Sequence, residues 1–261
     1  MTKISFCITC MGRMDNAKIC LDWNLKNNIK NIGDVEFVFL DCGKNEGLTE
    51  WISENYRYEL EKGYLSYYYC NMKYWHSSVA KNTCHKLARG EYLINLDCDN
   101  FCGIRGGEWI LSQLEKKGGN DIVLHMHNGE KGSGTFGRIG INKKVFDDIG
   151  GYDESLMPMG YQDNDLIERC KLLGYTVVKL VNKNYAWSIQ QTKTESLLNI
   201  YKEDFIECNW NEMRKANKFF SNCKYKNGIY RANIERNIGF NGNIYKLYVF
   251  TGNTFKMIEI N

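Results

Sequence analysis

Apolar and polar residues alternate over Ile4–Cys10, a period of two that predicts a strand. Just after it, Ala17, Leu21 and Leu25 recur at a spacing of four within Asp15–Asn28, the stripe of a helix that buries one face. The same exchange of periods continues down the chain. Val35–Leu40 is a compact apolar strand ending in Asp41-Cys42-Gly43, and Leu48, Trp51, Ile52 and Asn55 fit a helix. Tyr64–Tyr69 is aromatic and β-prone. Ser77–Ala88 carries Val79, Ala80, Cys84, Leu87 and Ala88 largely on one face, with Gly90 as its stop. Tyr92–Leu96 reads as a strand running into Asp97-Cys98-Asp99. A helix at 107–117, a strand at Asp121–Met126, a helix at Asp163–Leu173 and a strand at Tyr175–Val181 follow.

Such alternation predicts an α/β fold, a mostly parallel twisted sheet with helices on both faces. Ligands of such sheets lie beyond the carboxyl ends of the strands. Asp41, Asp97 and Asp99 each follow a strand, so the three carboxylates are expected along one rim. The pattern changes near residue 190. Leu197, Leu198, Tyr201, Phe205 and Ile206 suggest an amphipathic helix extending toward Phe220. Ile244–Phe250 and Thr254–Ile260, around Thr251-Gly252-Asn253, read as an antiparallel hairpin. The expected division is a main domain over 1–190 and a helical and hairpin appendage over 191–261 packed on it.

Composition narrows the classes. With 43% hydrophobic and 25% charged residues, the 261-residue chain is neither disordered nor fibrous. A net charge of +3 gives no ground for nucleic-acid binding. No apolar window suits a membrane span, and the short, interrupted apolar stretch at the amino terminus is not a secretory one. Eleven scattered cysteines, an odd number, then point to reduced thiols and a cytoplasmic setting. Cys7-x-x-Cys10 lies in or at the end of a strand, whereas a redox pair of that spacing opens a helix. No Cys/His cluster has zinc spacing.

Asp97-Cys98-Asp99-Asn100 carries the strongest chemical signal. Two carboxylates one residue apart beyond a buried strand cannot both enter the core unpaired. They suit a hard cation, Mn²⁺ or Mg²⁺, shared with substrate phosphates, or else form a solvated acidic turn. A calcium loop does not fit: Phe101 and Cys102 stand where an oxygen ligand and a glycine are required. His125 and His127, on one face of a strand, either reach the rim or pack as ordinary polar residues. Gly129–Gly140 contains five glycines without the Walker spacing and reads as a mobile loop. Tyr67-Tyr68-Tyr69 and Tyr74-Trp75 are available to stack on the rings of a ligand or to pack the sheet.

Five ordered segments, spanning about residues 4–182, resemble glycosyltransferases of the GT-A fold, family 2 type. They are Ile4–Arg13; Val38-Phe-Leu-Asp41-Cys-Gly43; Ser78-Val-Ala-Lys81-Asn82; Ala88-Arg-Gly-Glu-Tyr-Leu-Ile-Asn-Leu-Asp97-Cys-Asp99; and a galactosyltransferase-like stretch. That stretch runs Phe146-Asp-Asp-Ile-Gly-Gly-Tyr-Asp-Glu154, then Met159-Gly-Tyr-Gln-Asp-Asn-Asp-Leu166, Arg169 and Gly174. The resemblance implies an inverting, metal-dependent enzyme moving a sugar from a nucleotide-sugar donor to a hydroxyl of a glycan or other acceptor. It places Cys10, Arg13, Asp41, Lys81, Asp97 and Cys98 on the donor, with Asp41 accepting from the base. Asp99 and Asp97 would hold the metal, Asp163 would be the catalytic base, and Tyr161 and Gln162 would meet the acceptor. Three positions depart from the pattern: Lys81 replaces an arginine, Gln162 a glutamate, and Tyr185–Gln191 lacks a histidine ligand. Two other readings compete. A nucleotidylyltransferase would need a basic glycine-rich signature after the first strand, of which Met11-Gly12-Arg13 is a poor version. A carbohydrate-binding module would need neither Asp163, a cation nor a nucleotide.

Overall fold

Ile4–Cys10 (β1) occupies the middle of the sheet. Val35–Asp41 (β2) and Tyr92–Asn95 (β4) flank it in parallel, and every residue of the three strands is buried. The polar positions that gave β1 its alternation are therefore buried too, and Ser5 is paired. Ser5 Oγ donates to Glu36 Oε1 at 2.6 Å and accepts from the Gly90 amide at 2.8 Å. Glu36 also accepts from the Arg89 amide and Nε, each at 2.7 Å, so the buried carboxylate is compensated. Gly90 acts as more than a helix stop. A Cβ there would lie 2.7 Å from the Ser5 nitrogen and 2.9 Å from the Ile4 carbonyl carbon, so only glycine lets this backbone approach β1.

The computed structural model describes residues 3–28, 33–119, 121–190, 192, 197–200, 209–250 and 254–260. Leu65–Cys70 (β3) extends the sheet in parallel beyond β2. Ile244–Phe250 (β10) pairs antiparallel with β3, and Thr254–Ile260 (β11) pairs antiparallel with β10 at the edge. On the other side Ile139–Asn142 (β7) runs antiparallel between β4 and Val123–His127 (β6), and Val177–Val181 (β8) closes that edge parallel to β6. The order is β11-β10-β3-β2-β1-β4-β7-β6-β8, a parallel centre between antiparallel flanks. Asn100–Phe101 (β5) and Trp187–Ser188 (β9) form a separate small ribbon.

Two apolar layers cover the sheet. One takes Ala17, Leu21 and Leu25 from Met14–Asn28 (α1), Leu48 and Ile52 from Leu48–Asn55 (α2), and Ile110 and Leu114 from Gly106–Lys117 (α5). The other takes Ala80 and Cys84 from Ser77–Leu87 (α4), Val145 and Phe146 from Lys143–Asp148 (α6), and Leu166 and Cys170 from Gln162–Leu172 (α7). Arg57–Lys62 (α3) is a short helix that buries no residue.

The largest differences from the sequence reading lie after residue 128. The short β7 and α6 are absent from that reading because a glycine-rich loop precedes them and neither offers a full period. Tyr175 falls outside β8: Gly174 turns the chain at φ +88°, and the Tyr175 hydroxyl donates to Asp148 at 2.9 Å. Leu197–Ile200 is a turn and bend rather than a helix, and Tyr201, Phe205 and Ile206 lie outside the described residues. The helix that does form, Trp210–Lys226 (α8), starts at Asn209. The Asn209 side chain accepts from the Asn211 and Glu212 amides while Glu212 accepts from the Asn209 amide, a complete capping box. The carboxy-terminal hairpin forms as read but lengthens the central sheet, with Tyr245 opposite Tyr69; its tip, 251–253, lies outside the described residues.

His85 sets a pH limit on this core. It stacks on Phe146 at 4.9 Å, and its Nδ1 donates to the Lys81 carbonyl at 2.7 Å. Nε2 is then the unprotonated nitrogen, buried without a partner. Burial holds the imidazole neutral, pushed down to about 3, against about 6.5 in an unfolded chain. Between those values the unfolded state binds the extra proton, so stability falls as pH falls through that window. Lowering the pH from about 7 to 5.5 is expected to cost about 1 kcal/mol through this group alone. Chemical denaturation of wild type and His85→Gln at both pH values checks it: the variant should lose that much less, and identical losses would exclude His85 as the source.

Candidate active site

Register brings the rim together. Cys10 at the end of β1 lies opposite Asp41 at the end of β2, and Cys7 lies opposite Asn95 at the end of β4. Asp97 and Asp99 follow on a turn that the Asn100 amide closes to the Asp97 carbonyl at 2.9 Å. Asp99 Oδ1 accepts from Asn100 Nδ2 at 2.7 Å, and Oδ2 pairs with Arg13 Nη1 at 3.1 Å. Burial, then the neighbouring Asp97 charge, raises the Asp99 carboxyl above its ordinary value while Arg13 opposes them. Asp97 Oδ1 accepts from Asn95 Nδ2 at 3.1 Å.

Asp163 reaches the same rim from the first turn of α7, where the helix dipole favours a carboxylate. Lys81, from α4, joins the two. Its ammonium donates to Asp163 Oδ1 at 2.8 Å and lies 3.8 Å from Asp97 Oδ1. The Lys81 side chain is only 5% exposed, against 34% for Asp97 and 25% for Asp163, so a solute can meet both carboxylates but not the lysine between them. Burial alone would lower the lysine pKa; Asp163 and Asp97 more than offset it and keep Lys81 charged. Gly137 faces the other two oxygens. An added Cβ would stand 3.0 Å from Asp163 Oδ2 and 3.3 Å from Asp97 Oδ2. Those oxygens are therefore no farther apart than the 6.3 Å sum of the two distances.

The start of α7 is held from behind by α8. Asn217, fully buried, accepts from the Met157 amide at 2.7 Å and donates to the carbonyls of Met157, Met159 and Gly160 at 3.2, 3.2 and 2.6 Å. Ser221 and Tyr225 each donate to Asp165 Oδ1 at 2.7 Å, and Asp165 Oδ2 pairs with the buried Arg169. Tyr161, at φ +79°, is a rare non-glycine left-handed residue just before the helix.

Several expected site residues lie elsewhere. Asp41 is 2% exposed, and its oxygens accept from the Gly43 amide, Asn45 Nδ2 and the Tyr67 hydroxyl at 2.8, 2.7 and 2.7 Å. It organises the turn after β2. The Cys10 and Cys98 side chains are buried in the apolar layer beneath the rim, because a thiol prefers that environment to a polar surface. Gln162 is also buried and donates to the Met157 carbonyl at 2.7 Å, closing the loop before α7 rather than presenting an amide to an acceptor. Tyr161 is half-buried beside it.

The glycine-rich segment proves to be stitched to the acidic turn. Asn95 Nδ2 donates to the Gly137 carbonyl at 2.9 Å, Asn100 Nδ2 to the Gly134 carbonyl at 3.3 Å, and Arg138 Nη2 to Asn100 Oδ1 at 2.8 Å. Arg138 also donates to the Tyr185 carbonyl. Its burial lowers it to about 10, and its Nε has no partner. These residues escaped the sequence reading. Asn95 and Asn100 stand on either side of the two aspartates, a local signal in the sequence; nothing marks Gly137 among five glycines. His125 and His127 share one face, 5.0 Å apart, and sandwich against Phe136. His125 Nε2 donates to the Phe136 carbonyl at 2.9 Å, so it buttresses the residue before Gly137.

No protein-family model matches the chain, and no curated protein does. Solved structures do. S. aureus TarS with UDP-GlcNAc superposes with a TM-score of 0.59 at 16% identity over 79% of this chain and 64% of that one. A mannosyltransferase from Pyrobaculum calidifontis with GDP-Man and Mn²⁺ gives 0.55 at 12% identity, covering 69% of this chain and 55% of that one. The catalytic domain of Drosophila β1,4-galactosyltransferase 7 with xylobiose gives 0.55 at 12% identity, covering 99% of this chain and 93% of that one. The chain spans 60–64% of the length of these TarS chains. At these identities the likeness speaks for architecture, and together with the strand order it shows that this chain has the fold of the GT-A glycosyltransferases.

Proposed function

We propose that this protein is an inverting, metal-dependent glycosyltransferase that takes a sugar from a nucleotide-sugar donor to a hydroxyl of a glycan or other acceptor. The observation that carries this reading is the pair of solvent-reachable carboxylates, Asp97 and Asp163, on either side of Gly137. One belongs to the metal and donor side, the other to the acceptor side. The fold's likeness to structures holding UDP-GlcNAc, GDP-Man with Mn²⁺, and xylobiose supports the same assignment.

The acidic turn fits a divalent cation. Asp97 and Asp99 supply hard oxygen donors; burial first, then the Asp97 charge, raises the Asp99 carboxyl, and a cation would offset both. Among the described residues no third His, Cys, Asp or Glu joins them, which leaves the remaining positions to diphosphate oxygens and water. When bound, Mn²⁺ or Mg²⁺ would neutralise charge on the departing nucleoside diphosphate. Arg13, paired with Asp99, adds positive charge beside the donor phosphates. Asp163 Oδ2 would accept the proton of the attacking hydroxyl, while Lys81 holds Oδ1 and so fixes the carboxylate's orientation. Attack from the face opposite the leaving diphosphate inverts the anomeric carbon. Among the described residues no helix is long and apolar enough to cross a membrane, and the ten described cysteines are free, which supports a cytoplasmic setting.

Thermal shift with UDP-GlcNAc, UDP-Gal and GDP-Man, each with and without Mn²⁺, tests the donor half. At 100 times its dissociation constant the right donor should stabilise by about 2.7 kcal/mol, and only with the metal. Stabilisation by a nucleoside triphosphate with pyrophosphate release would favour the nucleotidylyltransferase instead, and binding of free sugar alone would favour the carbohydrate module.

For the stabilising donor, Asp163→Asn should keep the metal-dependent shift and lose about 10²–10⁴-fold in nucleotide release. Near wild-type turnover would remove Asp163 as the base. Gly137→Ala places a methyl between the two carboxylates. It should reduce turnover at least about tenfold and weaken the metal-dependent shift, with melting of the free protein lowered by an overpacking cost of about 1–3 kcal/mol. A fully active Gly137→Ala would show that the space between Asp97 and Asp163 is not where the reacting groups meet.

A further inference from the structure

The carboxy-terminal part of the chain carries a surface that sugar transfer does not use. Between Trp210 and Phe240 there are seven Lys and Arg against two Glu, a net +5, which leaves the rest of the chain at net −2. Helix α8 displays this charge in a definite direction. Met213, Asn217 and Ser221, spaced four apart, form its buried stripe. The helical period then turns Lys215, Lys218, Phe219 and Lys226 away from the body of the protein.

The same segment exposes large apolar groups. Phe219 is 64% and Phe220 52% exposed, their rings edge to face at 6.0 Å. Beyond the helix, Ile229 is 45% and Ile234 62% exposed. These two isoleucines line one shallow pocket with Lys224, Arg231 and Arg236. Lys224 lies one turn after Phe220, so the aromatic pair and the pocket are neighbours. Lys224 is committed to Asp153, and Arg231 to Asp148. Lys215, Lys218, Lys226 and Arg236 have no carboxylate partner among the described residues.

Single exposed apolar side chains are ordinary. Four within one strongly basic segment need a partner that accepts both properties. A soluble polyanion offers nothing to two phenylalanines and two isoleucines, and an apolar protein groove offers nothing to four free cations. An anionic lipid surface offers both: phosphate-bearing headgroups, and a boundary with the acyl chains just below them. We propose that α8 and the 229–236 loop dock this protein on an anionic membrane surface, with Phe219 and Phe220 entering the headgroup boundary and Lys215, Lys218, Lys226 and Arg236 lying among the lipid phosphates.

Cosedimentation of the full chain with vesicles tests it directly. One set is phosphatidylcholine alone, the other phosphatidylcholine with an equal part of phosphatidylglycerol. Binding is expected to the anionic set only and should weaken as salt is raised. Phe219→Ser and Phe220→Ser should each lower the partition coefficient about tenfold, and Lys215→Gln and Lys218→Gln about fivefold each. Melting curves of the four variants, whose side chains are all on the surface, should match wild type. Absence of binding, equal binding to both vesicle sets, or binding that all four variants retain would overturn the proposal. So would retention on heparin without vesicle binding, which would make the patch a site for a soluble polyanion. The assay requires no sugar donor, so its outcome is separate from that of the transferase reading.

Discussion

A single buried ammonium sets the geometry of the rim. Lys81 is cut off from solvent, and an isolated charge there would be far too costly to keep. It remains charged because Asp163 and Asp97 meet it from two different elements, the start of α7 and the turn beyond β4. Those elements are distant in sequence and sit on different parts of the fold. Neutralising Lys81 forces them to one place, and the outer oxygens of both carboxylates then face the same gap beside Gly137. Removing either partner would leave the ammonium buried and under-compensated, the situation in which a buried ion pair is most costly to break.

Around that charge the protein builds a frame of side-chain hydrogen bonds. Asn95, Asn100 and Arg138 tie the acidic turn to the glycine-rich segment, and Asn217 ties the loop before α7 to α8. The buried amides of Asn100 and Asn217 use both their donors and their acceptor, which is why these side chains can sit inside the fold at all. The carboxy-terminal segment thus serves the site from behind. Its inward stripe fixes the approach to Asp163 while its outward face is basic and aromatic. One helix therefore connects the rim with a surface of different chemistry.

Elements of complete periodicity, and the chemistry at their ends, are legible along the chain alone. β1, β2, α4 and α7 could be read because burying one stripe or one run requires a regular spacing, and Asp97 and Asp99 could be read because paired carboxylates after an apolar strand have few places to go. Tertiary structure decided what spacing cannot encode. Whether Asp41 faces solvent depends on Tyr67 and Asn45 arriving from other segments, and they bury it. Whether Gln162 points outward depends on the Met157 carbonyl being within reach, and it turns inward. That Gly137 lies against two carboxylates depends on how closely they approach the backbone, a distance set by packing across the sheet. These are contacts between residues far apart in the chain, and a one-dimensional pattern carries the preference of each residue but not the identity of its neighbour.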